Sequence, residues 1–474
     1  MSIIQILVLT ALALMIGLLR RGRLYGMLIA SVIVIYWLQP DVELFGSNRG
    51  FWLASATLAL AVIGWFLTAA PETRSWRQNW PAWAAIAGAV LLVDVSRYAG
   101  LERLFGFVTP RLHLTVVFLA ALLLVGLALN FLASRRSLLL GLAGVGIILL
   151  FVVIKAPGLL EWILLKAASR FGVDTDGGRV AFSWLGFSYI AFRLLHTFRD
   201  RQLGRLPALT LAEYVTYAVF FPAFSAGPID RAERFVQDIR RPQPLDADGW
   251  LFAGQRFFVG LFKKFVLADA LAFLALNQVF AVQVNQTGWM WLTVYAYAFQ
   301  IYFDFSGYTD LAIALGRLMG VRLPENFAAP YLKPNLAQFW NSWHMTLTQW
   351  FRAYFFNPLT RALRASTSTL PVWLMILITQ VSTMLLIGLW HGIAWNFVLW
   401  GLWHGIGLFI QNRWSEFVRP YASRWADSGW RQKALYALGV VLTFHYVALG
   451  WVLFVLPVEA VPRVFGILLG VAGR

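Results

Sequence analysis

The sequence predicts an all-α, polytopic transmembrane helical protein of about 11–13 spans, with interfacial or re-entrant helices added to them. Three observations carry this. Of 474 residues, 60% are hydrophobic and 13% are charged, about half the charged share of a soluble globular chain. Residues 51–70, 112–133 and 137–154 contain no Asp, Glu, Lys or Arg, and 372–411 is free of charge over a length sufficient for two spans. A helix crosses the hydrocarbon with about 20 apolar residues. Aromatic residues reach 16%, including 23 Trp. Trp and Tyr favour the membrane–water interface, where the ring lies in lipid and the N–H or O–H in water.

The first apolar stretch, Ile3 to Leu19, is followed rather than preceded by Arg20, Arg21 and Arg23 and shows no small-residue cleavage site. It reads as an uncleaved span with the N-terminus outside and Arg20–Arg23 in the cytoplasm. Further spans are expected near 24–38, 51–70, 82–97, 112–133, 137–154, 182–198, 211–229, 264–282, 288–303, 372–390, 392–411 and 436–456. Loops are short and none suits a soluble domain, so residues 1–474 are expected to form a single integral membrane domain in the cell membrane. Gly141, Gly144 and Gly146 read as close helix packing. Three segments differ from plain spans. Residues 157–181, with Lys166, Arg170, Asp174, Asp176 and Arg179, read as an interfacial helix plus loop. Residues 230–256 are polar, with Arg231, Arg234, Arg240 and Arg241. Residues 323–368 are too polar to float in lipid and too aromatic for a solvated loop, which places them at the interface or in a protein-lined cavity.

The net charge of +17 suits anionic lipid headgroups rather than nucleic acid, because the basic residues sit in short loops between spans. The absence of cysteine removes disulfides, thiolate nucleophiles, an acyl-cysteine intermediate on this chain and Cys-ligated zinc. No metal site, phosphate loop, zinc-protease helix or nucleophile elbow is present.

Six histidines remain: His113, His196, His344, His391, His404 and His445. A histidine in a span is costly unless paired or facing a polar cavity, which makes each a functional candidate; the plainer reading is a hydrogen-bonded core residue. His391 stands in Gly388-Leu389-Trp390-His391-Gly392 after the uncharged stretch 372–390, at the end of, or inside, an apolar span. Desolvation there favours the neutral imidazole, the form that accepts a proton as a general base. His404 stands in the same five letters, 401–405. If one helix carried both, 13 residues would separate them by about 20 Å and turn them to nearly opposite sides, so one is structural and spacing alone does not choose. Asn335 and Gln338 form a capping-box pattern that predicts a helix start. Trp340, His344, Leu347 and Phe351 then share its buried face. Arg352 on the same segment is a candidate anion site or an interface anchor. Asp304 and Asp310 in Tyr302-Phe303-Asp304-Phe305-Ser306-Gly307-Tyr308-Thr309-Asp310 are candidates to bind a cation or orient a base, but capping of a following helix is favoured.

With these residues in place, the chain resembles the membrane-bound O-acyltransferase family, in its bacterial branch of alginate O-acetyltransferases and teichoic-acid D-alanyltransferases. The resemblance rests on an ordered set: Leu185-Gly186-Phe187-Ser188-Tyr189, Phe220-Phe221-Pro222 with Ala226-Gly227-Pro228-Ile229, the run Tyr302–Tyr308, Pro330-Tyr331 leading to Phe339-Trp340 and Trp343-His344, and Gly388–Gly392 with Trp395, Trp400, Gly401 and His404. It covers residues 182–411 as a core, between N-terminal spans (1–180) and C-terminal spans (412–474). It implies that His391 is the catalytic histidine and His344 the second active-site histidine. Trp343, Asn341, Arg352, Trp390 and Asp304 are the candidate substrate-binding residues. Two departures stand out: Arg352-Ala353 where the family commonly has Arg-Asp, and Arg193 where a neutral polar residue is expected.

The resemblance further implies a donor rather than a tightly bound cofactor: an acyl thioester, acetyl-CoA or an acyl-carrier protein. The acceptor is a hydroxyl of a cell-surface or exported polysaccharide, and a periplasmic or extracellular accessory acyltransferase is an expected partner. Acetyl transfer to an exopolysaccharide is the first pairing and D-alanyl transfer to teichoic acid the alternative. A proton-coupled transporter or flippase of lipid-linked sugars is the rival from another class, but such folds are commonly built from repeats and no repeat of fixed period is found. A non-catalytic membrane scaffold is the other rival, and the presence of both histidines with their Gly and Trp neighbours speaks against it.

Overall fold

The computed structural model describes residues 2–19, 21–40, 49–101, 104–132, 135–170, 182–365, 370–425 and 429–471. Arg20, and Asp174, Asp176 and Arg179 of the expected interfacial loop, lie outside the described residues. Helices and irregular connections make up everything described, with no strand among the described residues. Close contacts sort the chain into two compact units, one of Met1–Phe257 with Leu311–Pro324 and one of Phe258–Asp310 with Glu325–Arg474.

The first unit opens with α1 (Ile3–Leu18), α2 (Arg23–Leu38), α3 (Arg49–Thr68), α4 (Trp76–Val95), α5 (Leu112–Phe131), α6 (Arg136–Lys155) and α7 (Pro157–Arg170). It continues with α8 (Phe187–Gln202), α9 (Leu211–Ala218), α10 (Ala232–Arg240) and the part of α11 (Ala247–Leu261) up to Phe257. Helix α3 is buried along most of its length, whereas α5 and α6 leave Val116, Val117, Leu124, Leu142, Ile148 and Leu149 exposed. An uncharged outer face of this kind is stable only against lipid. Gly141 and Gly146 have open space where a side chain would stand, so the expected close packing is not found at these two, while a side chain at Gly144 would meet Leu195 at 3.8 Å.

The open carbonyls at the end of α3 are closed by arginines. Arg74 Nη2 and Arg136 Nη1 donate to Ala69 O at 3.0 and 2.9 Å, the charge sign a helix C-terminus favours. The expected span at 211–229 is not one helix. Helix α9 stops at Ala218, and a 3-10 turn at Phe221–Ala223 carries Pro222, whose ring cannot continue a helix. Arg193, unexpected in this position, resolves the break. Buried on α8, it donates to the carbonyls of Tyr217, Ala218 and Ala223 at 3.2, 3.0 and 2.8 Å. Arg193→Leu would leave three buried carbonyls without donors and is expected to destabilise the protein by roughly 3 kcal/mol. Thermal unfolding of the purified protein reads this, and Arg193→Lys recovers only part because an ammonium lacks the planar fork.

The second unit carries a π-helical segment (Phe262–Ala268), α12 (Asp269–Ala272), α13 (Gln278–Gln283) and the part of α14 (Thr287–Leu318) up to Asp310. It then holds α15 (Leu336–Trp340), α16 (Met345–Phe351), a π-helical turn (Arg352–Phe356), α17 (Asn357–Ala365), α18 (Val372–His391), α19 (Trp395–Trp425), α20 (Gly429–Val455) and α21 (Val461–Leu468). The expected span at 264–282 is broken, because Asn277 accepts from the backbone N–H groups of Val279 and Phe280 and starts a new helix. The expected stop near Asp304 is also absent. Asp304 and Asp310 lie inside the continuous α14 and do not cap: Asp304 pairs with Lys264, and Asp310 with Lys263 at 2.7 Å. Between the two pairs, a side chain at Gly307 would stand 2.9 Å from Gly260 O, so the glycine is what lets the two backbones meet.

Among the described residues, six helices are long and apolar enough to cross a membrane: Arg49–Thr68, Trp76–Ala99, Leu112–Phe131, Arg136–Lys155, Val372–His391 and Gly429–Val455. Ile3–Leu18 and Arg23–Leu38 are shorter apolar helices. The expected spans at 182–198, 288–303 and 392–411 fall on helices α8, α14 and α19, which are not among these six. The protein is therefore an all-α, multi-pass membrane protein.

Candidate active site

His391 is the last residue of α18 and half-buried. Its ring meets Trp390, Phe454, Trp400 and Phe397 at centroid distances of 4.5, 4.7, 5.7 and 6.0 Å. The α18–α19 hairpin that carries it is closed by glycines. A side chain at Gly388 would stand 2.3 Å from Phe397 O, and one at Gly401 2.7 Å from Met384 O. At Gly392 it would stand 2.7 Å from the Phe397 ring. The repeated five-residue motif is thus two facing contact surfaces of one hairpin.

That hairpin also corrects the premise about His404. His391 and His404 lie on different helices, and both rings pack on Trp400, at 5.7 and 4.9 Å.

His344 departs from expectation in its backbone. The helix begun at Asn335, whose Oδ1 accepts from the Gln338 N–H at 2.9 Å, ends at Trp340 and does not run through His344. His344 instead precedes α16 with φ 43°, in the left-handed region, which costs a non-glycine residue about 1 kcal/mol. Asn326 offsets that cost. Its carbonyl accepts from Met345 N–H at 3.0 Å, and its Oδ1 accepts from the Thr346 N–H and hydroxyl at 3.2 and 2.6 Å. The His344 ring is buried between Phe305 at 4.7 Å and Trp390 at 5.9 Å, and its nitrogens bond no other described residue. Trp390 thereby touches both histidines, at 4.5 Å for His391 and 5.9 Å for His344.

His344 lies outside the candidate spans, and burial pushes its imidazole down to about 3. The unfolded chain takes that proton near pH 6.5, so the stability linked to this group is full above 6.5 and is lost as pH falls from there toward 3. His344→Gln is expected to lose stability less steeply than the wild type between pH 6 and 4.5, by up to about 1.4 kcal/mol per pH unit. Equal slopes in thermal unfolding at several pH values would contradict this.

The other histidines sort plainly. His113 is exposed. His196 meets the Tyr217 hydroxyl at 3.2 Å in the first unit. His445 bridges Tyr295 Oη and Val441 O at 2.8 and 2.7 Å.

A cavity of about 170 Å³ in the second unit is lined by Trp340, Asn341, Arg352, Gln380, Thr383 and Met384, among others, and neither His344 nor His391 is among its lining residues. Arg352 Nη2 donates to Asn341 Oδ1 at 2.6 Å, which joins two of the candidate substrate-binding residues at the cavity wall. Trp343 packs against Trp451 at 5.0 Å and Phe339 at 5.6 Å. Asp304 sits apart from the cavity lining and is engaged by Lys264. Asn326, Phe305 and Gln380 escaped the sequence reading. Only the position of Phe305 inside the Tyr302–Asp310 run offered a signal.

The model of the membrane-bound O-acyltransferase family matches residues 179–451. The chain belongs to that family. The matched range extends the expected 182–411 core through residues 412–451, the rest of α19 and most of α20. Among curated relatives, a teichoic acid D-alanyltransferase of Streptococcus thermophilus is 32% identical over 297 residues, covering 59% of this chain and 70% of the relative. A probable alginate O-acetylase of Pseudomonas syringae is 35% identical over 274 residues, covering 57% of this chain and 48% of the relative. A peptidoglycan O-acetyltransferase of Helicobacter pylori is 31% identical over 247 residues, covering 51% of this chain and 43% of the relative. The match therefore spans about half the length of the two O-acetylating relatives.

Proposed function

We propose that this protein moves an acyl group from a thioester to a hydroxyl of a cell-surface or exported polysaccharide, with acetyl as the acyl group. The observation that carries the reading is the His391–Trp390–His344 arrangement in a chain of this family. His391 takes the proton of the acceptor hydroxyl as its oxygen attacks the thioester carbonyl carbon. The C–S bond then breaks, and His391 returns the proton to the departing thiolate. His344, neutral through burial, holds acceptor or donor by a hydrogen bond. Arg352 and Asn341 bind the donor at the cavity wall, Trp343 and Trp390 pack against the substrates, and Asp304 acts indirectly through its pair with Lys264. Acetyl-CoA or an acyl-carrier protein supplies the acyl group, with no tightly bound cofactor. The protein lies in the cell membrane with its N-terminus outside and works with an accessory acyltransferase on that outer side.

The D-alanyltransferase relative, 70% covered, favours D-alanyl transfer to teichoic acid from a carrier protein as the second reading. Membrane vesicles supplied with labelled acetyl-CoA and a labelled D-alanyl carrier in parallel test the choice. Base-labile acetyl on polysaccharide is expected; label arriving only from the D-alanyl carrier would replace the first reading with the second.

A further inference from the structure

Two tryptophans beside the hairpin spend their indole N–H on an acceptor. Trp403 Nε1 donates to Tyr446 O at 3.0 Å, and Trp451 Nε1 to Tyr331 Oη at 3.0 Å. Trp340 and Trp400 differ. Both are buried, at 5% and 1% exposure, and neither indole N–H meets an acceptor among the described residues. Burying such a donor is unfavourable and asks for an explanation in the protein's work.

Their placement supplies one. Trp340 lines the cavity. Its ring meets Trp400 at 5.7 Å, nearly edge-on, and Trp400 meets His391 at 5.7 Å. The two indoles thus form a continuous line from the cavity to the histidine. Acyl transfer from a thioester needs donors at the carbonyl oxygen: as the acceptor oxygen bonds to the carbonyl carbon, the C=O pair moves onto oxygen, and the charge must be met until the C–S bond breaks. A donor already occupied by a backbone carbonyl cannot do this, whereas a buried and unoccupied N–H is ready to.

We propose that the indole N–H groups of Trp340 and Trp400 are the hydrogen-bond donors for the negative charge that develops on the thioester carbonyl oxygen. This rests on the acyltransferase reading above and adds two catalytic residues to it.

Tryptophan-to-phenylalanine replacement keeps an aromatic ring and removes the N–H. In reconstituted membranes with acetyl-CoA as donor, Trp340→Phe and Trp400→Phe are expected to lower kcat by roughly 10²–10³-fold for the stronger of the two, with the donor KM little changed. Trp403→Phe, whose N–H is spent on Tyr446, is expected to keep its kcat. Should Trp400→Phe fail to fold, Trp340→Phe at the cavity wall carries the test. Wild-type kcat in both Trp340→Phe and Trp400→Phe, or an equal loss in Trp403→Phe, would overturn the assignment. His391→Ala measured alongside keeps the two readings apart: an inactive His391→Ala beside fully active tryptophan variants removes the donor proposal alone.

Discussion

His391→Ala is expected to lose acyl transfer by on the order of 10²–10⁴-fold while the protein still inserts and folds. The large effect follows from position. His391 ends an uncharged helix and is surrounded by Trp390, Phe397, Trp400 and Phe454. Water is a poor substitute base in such surroundings. The small effect on folding follows from the same neighbours. The ring is half-buried, and the hairpin holding it is closed by backbone contacts at Gly388 and Gly401 rather than by the imidazole. Transfer assays paired with thermal unfolding separate the two quantities. Unchanged acylation in the variant would end the assignment of His391 as general base.

The second large effect concerns that hairpin. Gly388→Val is expected to destabilise the protein by about 3 kcal/mol or more, beyond the usual cost of overpacking. The added carbon would stand 2.3 Å from Phe397 O, and a helix carbonyl cannot move aside as a flexible side chain can. Gly401→Val meets Met384 O at 2.7 Å from the other side and is expected to behave alike. Gly141→Val serves as the contrast, because nothing lies within 4 Å of the added carbon, and it is expected to stay within about 0.5 kcal/mol of wild type. A Gly388→Val protein that unfolds at the wild-type temperature would contradict the hairpin geometry.

Much of this was legible in the sequence, for local reasons. The uncharged 372–411 run predicts two apolar helices, but it leaves His391 at the end of a span or inside one, and only the structure ends the helix at His391. The Asn335 cap was also read correctly, because its partner Gln338 is three residues away. Several failures have distant causes. The 3–4 spacing of Trp340, His344, Leu347 and Phe351 suggested one helix, but Asn326, 20 residues before Thr346, holds the His344 turn in a left-handed conformation. Asp304 reads as a cap for a following helix, but it lies inside α14 and pairs with Lys264, 40 residues away. Arg193 likewise gained its meaning only from carbonyls freed by Pro222, on a different segment. Periodicity reports burial along one element and carries no information on which remote group will satisfy a buried polar atom.

The central claim is that this chain itself carries an acyl group from a thioester to a hydroxyl. Purified protein in sealed liposomes, given labelled acetyl-CoA and a polysaccharide acceptor, tests it most directly. Label is expected on the acceptor as a base-labile ester, formed by the wild type and not by His391→Ala. Movement of a lipid-linked sugar across the bilayer with no ester formed in either protein would contradict it.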